Sequence, residues 1–118
     1  MARTKKVECA VDKIIANRLE STKHLLLVKG KEYVRGNDRL HNFRRAVEMN
    51  RGISLPHELH GMLTKHLVSY LDILDDIKNG VPVSEAKVDE KVGDIIVYFL
   101  LQEASIKEHI SKSVKSKK

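Results

Sequence analysis

Asp89-Glu90-Lys91-Val92-Gly93-Asp94-Ile95-Ile96-Val97-Tyr98-Phe99-Leu100-Leu101 decides how the chain is read, because it sets acidic side chains directly before the most apolar run in the sequence. Val88, Val92, Ile95, Ile96 and Phe99 recur at steps of three and four residues, the spacing of a face that a helix buries. The stretch is therefore expected to be the central helix, with that face inside. Glu90 and Asp94 stand one turn apart on the adjoining stripe, at the edge of the core. Two like charges at that spacing repel by roughly 0.2–0.5 kcal/mol on an exposed helix, and desolvation raises the cost. A bound cation removes this repulsion; so do Lys87 and Lys91, and the sequence leaves both explanations open.

Working outward, 118 residues suffice for one core and not for two. With five aromatic residues and no Trp, aliphatic side chains must supply most of that core. Two prolines and six glycines leave room for long uninterrupted helices, and β-branched residues rarely alternate with polar ones. The expected class is all-α: a four-helix, bundle-like domain over residues 1–111, completed by homo-oligomerisation, with a basic flexible tail over residues 112–118. The single cysteine, Cys9, has no partner for an intramolecular disulfide and no companions for a thiolate metal cluster, which fits a reducing compartment. No window approaches the roughly 20 apolar residues needed to span a bilayer, so a soluble, cytoplasmic protein without a membrane partner is expected.

The net charge of +6 is unevenly spread. Residues 1–28 carry six basic against three acidic groups, residues 29–52 seven against three, and residues 107–118 five against one; residues 53–106 reverse the balance, four against nine. An acidic middle between basic flanks suits an anionic ligand held with a carboxylate-bound cation. It equally suits a helical domain with solvated basic ends.

A first helix is expected from about residue 5 to 28, with Val7, Val11, Ile14, Ile15, Leu19 and the Leu25-Leu26-Leu27 cluster inward. Gly30 can end it and Gly36 can supply a left-handed turn residue. Asn37 or Asp38 is a ready N-cap for a short second helix that buries Leu40, Phe43 and Val47. Around that stripe stand Arg35, Arg39, Arg44, Arg45 and Arg51. Guanidinium groups offer planar paired donors to phosphate or carboxylate, so this is either an anion-binding loop and helix or a set of ion pairs with the acidic middle. Pro56 in a first turn, with Ser54 or Leu55 near the cap, opens a third helix with a Leu59, Met62, Leu63, Leu67, Leu71, Leu74 stripe. Lys65, Ser69, Asp72 and Asp76 follow one another on another face. His57 and His60 lack a third ligand at sensible spacing for zinc, and His66 beside the apolar stripe reads as a satisfied core histidine. Asn79 and Gly80 end the helix, and Ser84 or Asp89 caps the fourth, which is expected to reach about residue 111.

Asp72-x-x-Asp75-Asp76 on one helix and Glu90-Lys91-Val92-Gly93-Asp94 opening the next resemble the small all-α MazG-like nucleotide pyrophosphohydrolases and their short phage-encoded relatives. The likeness covers about residues 57–104, and Gly93-Asp94-Ile95-Ile96 is its best match. In that family an ExxE pattern and an ExxD pattern on successive helices hold magnesium, which binds the triphosphate and activates water. The resemblance implies metal ligation by Asp72, Asp76, Glu90 and Asp94, with Glu90 and Asp94 catalytic. Two departures bear on it: aspartates replace the glutamates of the first motif, and Lys91 stands where ExxD has its glutamate, so Glu90 must substitute.

Three functions follow as expectations. The first is a nucleotide-handling protein of phage type, with magnesium on those carboxylates, Arg35, Arg39, Arg44 and Lys65 at the phosphates and Tyr33 or Phe43 stacked on the base; it includes hydrolysis to a monophosphate and pyrophosphate. The second is a non-catalytic binder that sequesters a nucleotide or cyclic-nucleotide signal or inhibits a host defence. The third is nucleic-acid binding through the basic ends, against which the acidic middle argues.

Overall fold

The computed structural model describes residues 9–33 and 36–116. The chain is all-α: α1 Ala10–Leu27, α2 His41–Asn50, α3 Leu55–Lys78 and α4 Glu85–Ser116, with a short 3-10 turn at Lys29–Tyr33 and no strand among the described residues. It divides into two compact units, Met1–Glu32 and Tyr33–Lys118. No helix is long and apolar enough to cross a membrane among the described residues.

The first unit holds α1, which ends at Leu27, one residue before the expected end near residue 28, and passes into the 3-10 turn that contains Gly30. Its expected inward face is open: Val11, Ile14, Ile15 and Leu19 are all exposed, and Thr22 is the buried residue of the helix. Val7 lies outside the described residues.

In the second unit α3 and α4 form an antiparallel pair through the short 79–84 connection. Pro56 at the start of α3 meets Gln102 far along α4, whereas His66 further along α3 meets Asp94 nearer the α4 start. Local signals set these elements. Ser54 caps α3 by accepting from the His57 N–H at 3.3 Å, and Pro56 occupies the first turn, where its missing N–H costs nothing. Ser84 accepts from the Lys87 N–H at 3.1 Å, which makes Ser84 rather than Asp89 the cap of α4; Asp89 lies inside the helix. Gly80 turns the chain with φ +74°. α4 runs to Ser116, beyond the end expected near residue 111, because no proline or glycine follows Gly93 to stop it.

α2 packs on α3. Neither Asn37 nor Asp38 is its N-cap. Gly36 and Asn37 both take positive φ, which turns the chain so that Leu40 occupies the cap position, and Asp38 accepts from the Leu40 N–H at 3.0 Å one step upstream. The core is narrow. Leu40, Leu59, Leu63 and Ile73 are buried, while Leu71 and Leu74, expected inside, are exposed.

The largest departure from the sequence reading lies on α4. Val88 and Phe99 of the expected core face are exposed and Val92, Ile95 and Ile96 are only half-buried. Gly93 and Ser105 are buried, with Val97 and Leu101 half-buried on the same stripe between them, so a face of mixed small, polar and aliphatic residues turns inward instead of the one through Val88 and Phe99. Ser105 Oγ donates to the Gln102 carbonyl at 3.0 Å and also lies 2.6 Å from the Gln102 side-chain oxygen, while Gln102 Nε2 reaches the Pro56 carbonyl at 2.8 Å. These bonds satisfy polar atoms that would otherwise make the inner face costly.

Candidate functional site

The α3–α4 seam brings one predicted carboxylate against a side chain from another helix. Asp94 Oδ2 lies 3.6 Å from His66 Nδ1, an electrostatic contact rather than a hydrogen bond, and an ion pair only when the imidazole is protonated. The two side chains are 40% and 27% exposed, so solvent and ligands reach them. The His66 ring lies over Tyr98 with centroids 4.8 Å apart, and Phe43 of α2 meets the same tyrosine edge-on at 6.1 Å. Burial, and then the nearby Asp94 charge, push the Tyr98 hydroxyl above its ordinary titration range.

The remaining carboxylates of the sequence-derived set stand apart. Asp72 is exposed and Asp76 half-buried on α3. Glu90 is exposed, with Lys91 Nζ 3.8 Å from its carboxylate. Among the described residues no three His, Cys, Asp or Glu side chains come close enough together to share a cation. A four-carboxylate magnesium cradle is thus not assembled within the chain.

Arg44 is engaged elsewhere. Its Nε donates to Asp38 Oδ2 at 2.7 Å and its Nη2 to Asp38 Oδ1 at 3.0 Å, while Nη1 and Nη2 reach the two Glu108 oxygens at 2.6 and 2.7 Å. Paired bonds from one guanidinium to two carboxylates tie the loop before α2 to the late turns of α4. The hydrogen bonds from Arg44 hold Asp38 and Glu108 below their ordinary carboxylate range, and the two acids in turn hold the guanidinium in its charged form. Arg44 is thus an ion-pair residue, but its partners Asp38 and Glu108 lie outside the acidic middle of residues 53–106, and Arg45 makes one exposed contact with Glu48 of its own helix at 3.3 Å.

Arg39 and Lys65 are exposed. Arg35 lies outside the described residues, as does the side chain of Tyr33. Phe43 is half-buried against Tyr98 instead of standing open for a base.

The sequence reading takes His66 as a core histidine beside the apolar stripe and gives Tyr98 no role; the structure sets both at the seam with Asp94. The register of the hairpin holds the signal: His66 and Asp94 lie fourteen residues on either side of Gly80, so an antiparallel turn there sets them opposite each other.

Compared with family models, curated proteins and solved structures, the chain matches none.

Proposed function

We propose that the chain handles a nucleotide polyphosphate, taken up with its own magnesium, at the α3–α4 seam around Asp94. One observation supports this most. Asp38 and Glu108 pair with Arg44, Glu103 with Lys107 and Glu90 with Lys91, while Glu58 accepts from the Asn50 side chain. Asp94 instead faces His66, at a half-open position between two helices. A carboxylate without lysine or arginine in that place retains its affinity for a hard cation, and magnesium already bound to phosphate oxygens completes its shell with water. Lys65, next to His66 in sequence, and Arg39 supply positive charge for the phosphates. The choice of a nucleotide rests on the resemblance of the Asp72–Asp76 and Glu90–Asp94 segments to MazG-like proteins, an analogy of motif.

Binding without hydrolysis is the second reading, and Lys91 beside Glu90 favours it. An ammonium group there weakens any second cation ligand that would orient water. Isothermal titration with a nucleoside triphosphate in magnesium and in EDTA, followed by phosphate-release assays, tests both. Magnesium-dependent binding is expected; binding unaffected by EDTA moves the ligand to the basic residues and makes the chain a sequestering protein, and no binding in either condition removes the nucleotide reading.

A further inference from the structure

α4 carries a mixed face inward and an aliphatic stripe outward. Asp94, Tyr98 and Gln102 make the contacts toward α3 and α2 described above, with Val97 and Leu101 half-buried beside them, while Val88, Phe99, Ile106 and Ile110 are 37%, 54%, 43% and 55% exposed. With half-buried Val92 and Ile95 these four form one stripe at steps of four, three, four, seven and four residues, the alternation of a helix–helix seam. From Val88 to Ile110 the stripe runs about 33 Å at 1.5 Å per residue. It leaves open an apolar strip on the order of 400 Å², at the upper end of what soluble monomers expose. That is about half of the roughly 800 Å² per partner of a standard interface, and the flanking side chains of a 33 Å seam can supply the rest.

The spacing also selects the occupant. Val92 and Ile106 lie seven residues on either side of Phe99, and Val88 and Ile110 eleven. We propose that a second copy of this chain seats antiparallel on the stripe, with the two-fold axis at Phe99, setting Val88 against Ile110 and Val92 against Ile106 of the other copy. Such an arrangement is isologous and closes on itself. Charge points the same way. Residues 85–94 of α4 carry four acidic groups (Glu85, Asp89, Glu90, Asp94) against two basic ones, and residues 107–116 carry three basic against one acidic, so antiparallel helices set opposite charges together and parallel ones set like charges together. The interface does not depend on the nucleotide reading.

Sedimentation and disulfide mapping on the full chain test it. In a Cys9→Ser background, Phe99→Cys is expected to oxidise to a covalent dimer. Val88→Cys and Ile110→Cys each stay monomeric on denaturing gels alone and cross-link when mixed. Phe99→Glu, with its helical circular dichroism unchanged, raises the dimer dissociation constant by at least about thirtyfold. A chain that stays monomeric up to roughly 100 µM, where even a weak specific dimer of micromolar affinity is formed, overturns the proposal. So does a dimer in which Val88→Cys links to itself, which is parallel, or one in which none of these cysteines cross-links. A monomer whose stripe cysteines resist thiol reagents overturns it too, since the chain's own first unit then covers the stripe.

Discussion

Replacing Arg44 by Gln removes the charge that Asp38 and Glu108 share while keeping a side chain of similar length. The guanidinium makes four hydrogen bonds of 2.6–3.0 Å to the two carboxylates, and all three side chains are about one-third exposed, 32% for Arg44 and Glu108 and 31% for Asp38. A fully buried pair broken on one side costs about 3–5 kcal/mol, and an exposed one at most about 1 kcal/mol. At this exposure solvent screens the larger part, which leaves roughly 1–2 kcal/mol for Arg44→Gln. For a chain of this size that is a fall in Tm of about 4–10 °C. The dependence on pH is more telling than the size. Both carboxylates titrate below their ordinary range in the folded state because Arg44 donates to them. Their stabilisation is therefore complete above the unfolded-state carboxyl range and is lost as pH falls through the lower folded values. Thermal melts of the two proteins are expected to differ fully from pH 6 to 7 and to draw together as pH falls through and below the ordinary carboxyl range. Equal melting temperatures at pH 7, or a gap that does not narrow anywhere below the ordinary carboxyl range, would refute the clamp as the reason α4 is tied to the loop before α2.

Three smaller perturbations check other parts of the structure. Leu59, with no exposed surface, is the centre of the narrow core, and Leu59→Ala is expected to cost about 2–5 kcal/mol in urea unfolding, more than the same change at exposed Leu71. Gly61 lies inside α3 with nothing within 4 Å of an added Cβ, so Gly61→Ala is expected to stabilise by about 0.5–1 kcal/mol, read as a raised urea midpoint at unchanged slope. Arg39→Ala is expected to weaken triphosphate binding more than deletion of residues 112–118 does; equal losses in titration calorimetry would mean that diffuse positive charge accounts for the affinity.

The sequence makes the class, the antiparallel α3–α4 pair and two of its caps legible for local reasons. Ser54 and Pro56 start one helix, Ser84 the next, and Gly80 takes the left-handed turn between them. It misplaces the inner face of α4. Periodicity identifies an apolar face but not what covers it, and in this chain the aliphatic stripe of Val88 and Phe99 faces outward while Gln102 and Ser105 satisfy their polar atoms inside. The arginine segment shows the same limit. Arg44 carries the same charge as a phosphate ligand or as an ion-pair donor, and only the approach of Glu108, 64 positions away, distinguishes them. Asp94 emerges from its motif, whereas its partner His66 depends on hairpin register. The remaining acids of the motif, Asp72, Asp76 and Glu90, follow the helical repeat without converging, because residues on one stripe of each helix meet only where the stripes face each other.

The most direct test of the central claim is titration calorimetry of a nucleoside triphosphate into the wild-type chain and Asp94→Asn, in magnesium, with circular dichroism confirming that both are equally helical. Asp94→Asn removes one negative charge and changes no volume, so it separates cation ligation from packing. The account predicts magnesium-dependent binding to the wild type that weakens at least about tenfold in the variant, a loss of about 1.4 kcal/mol. Binding of equal or greater strength in Asp94→Asn would contradict it, because removing a carboxylate that merely repels phosphate improves affinity.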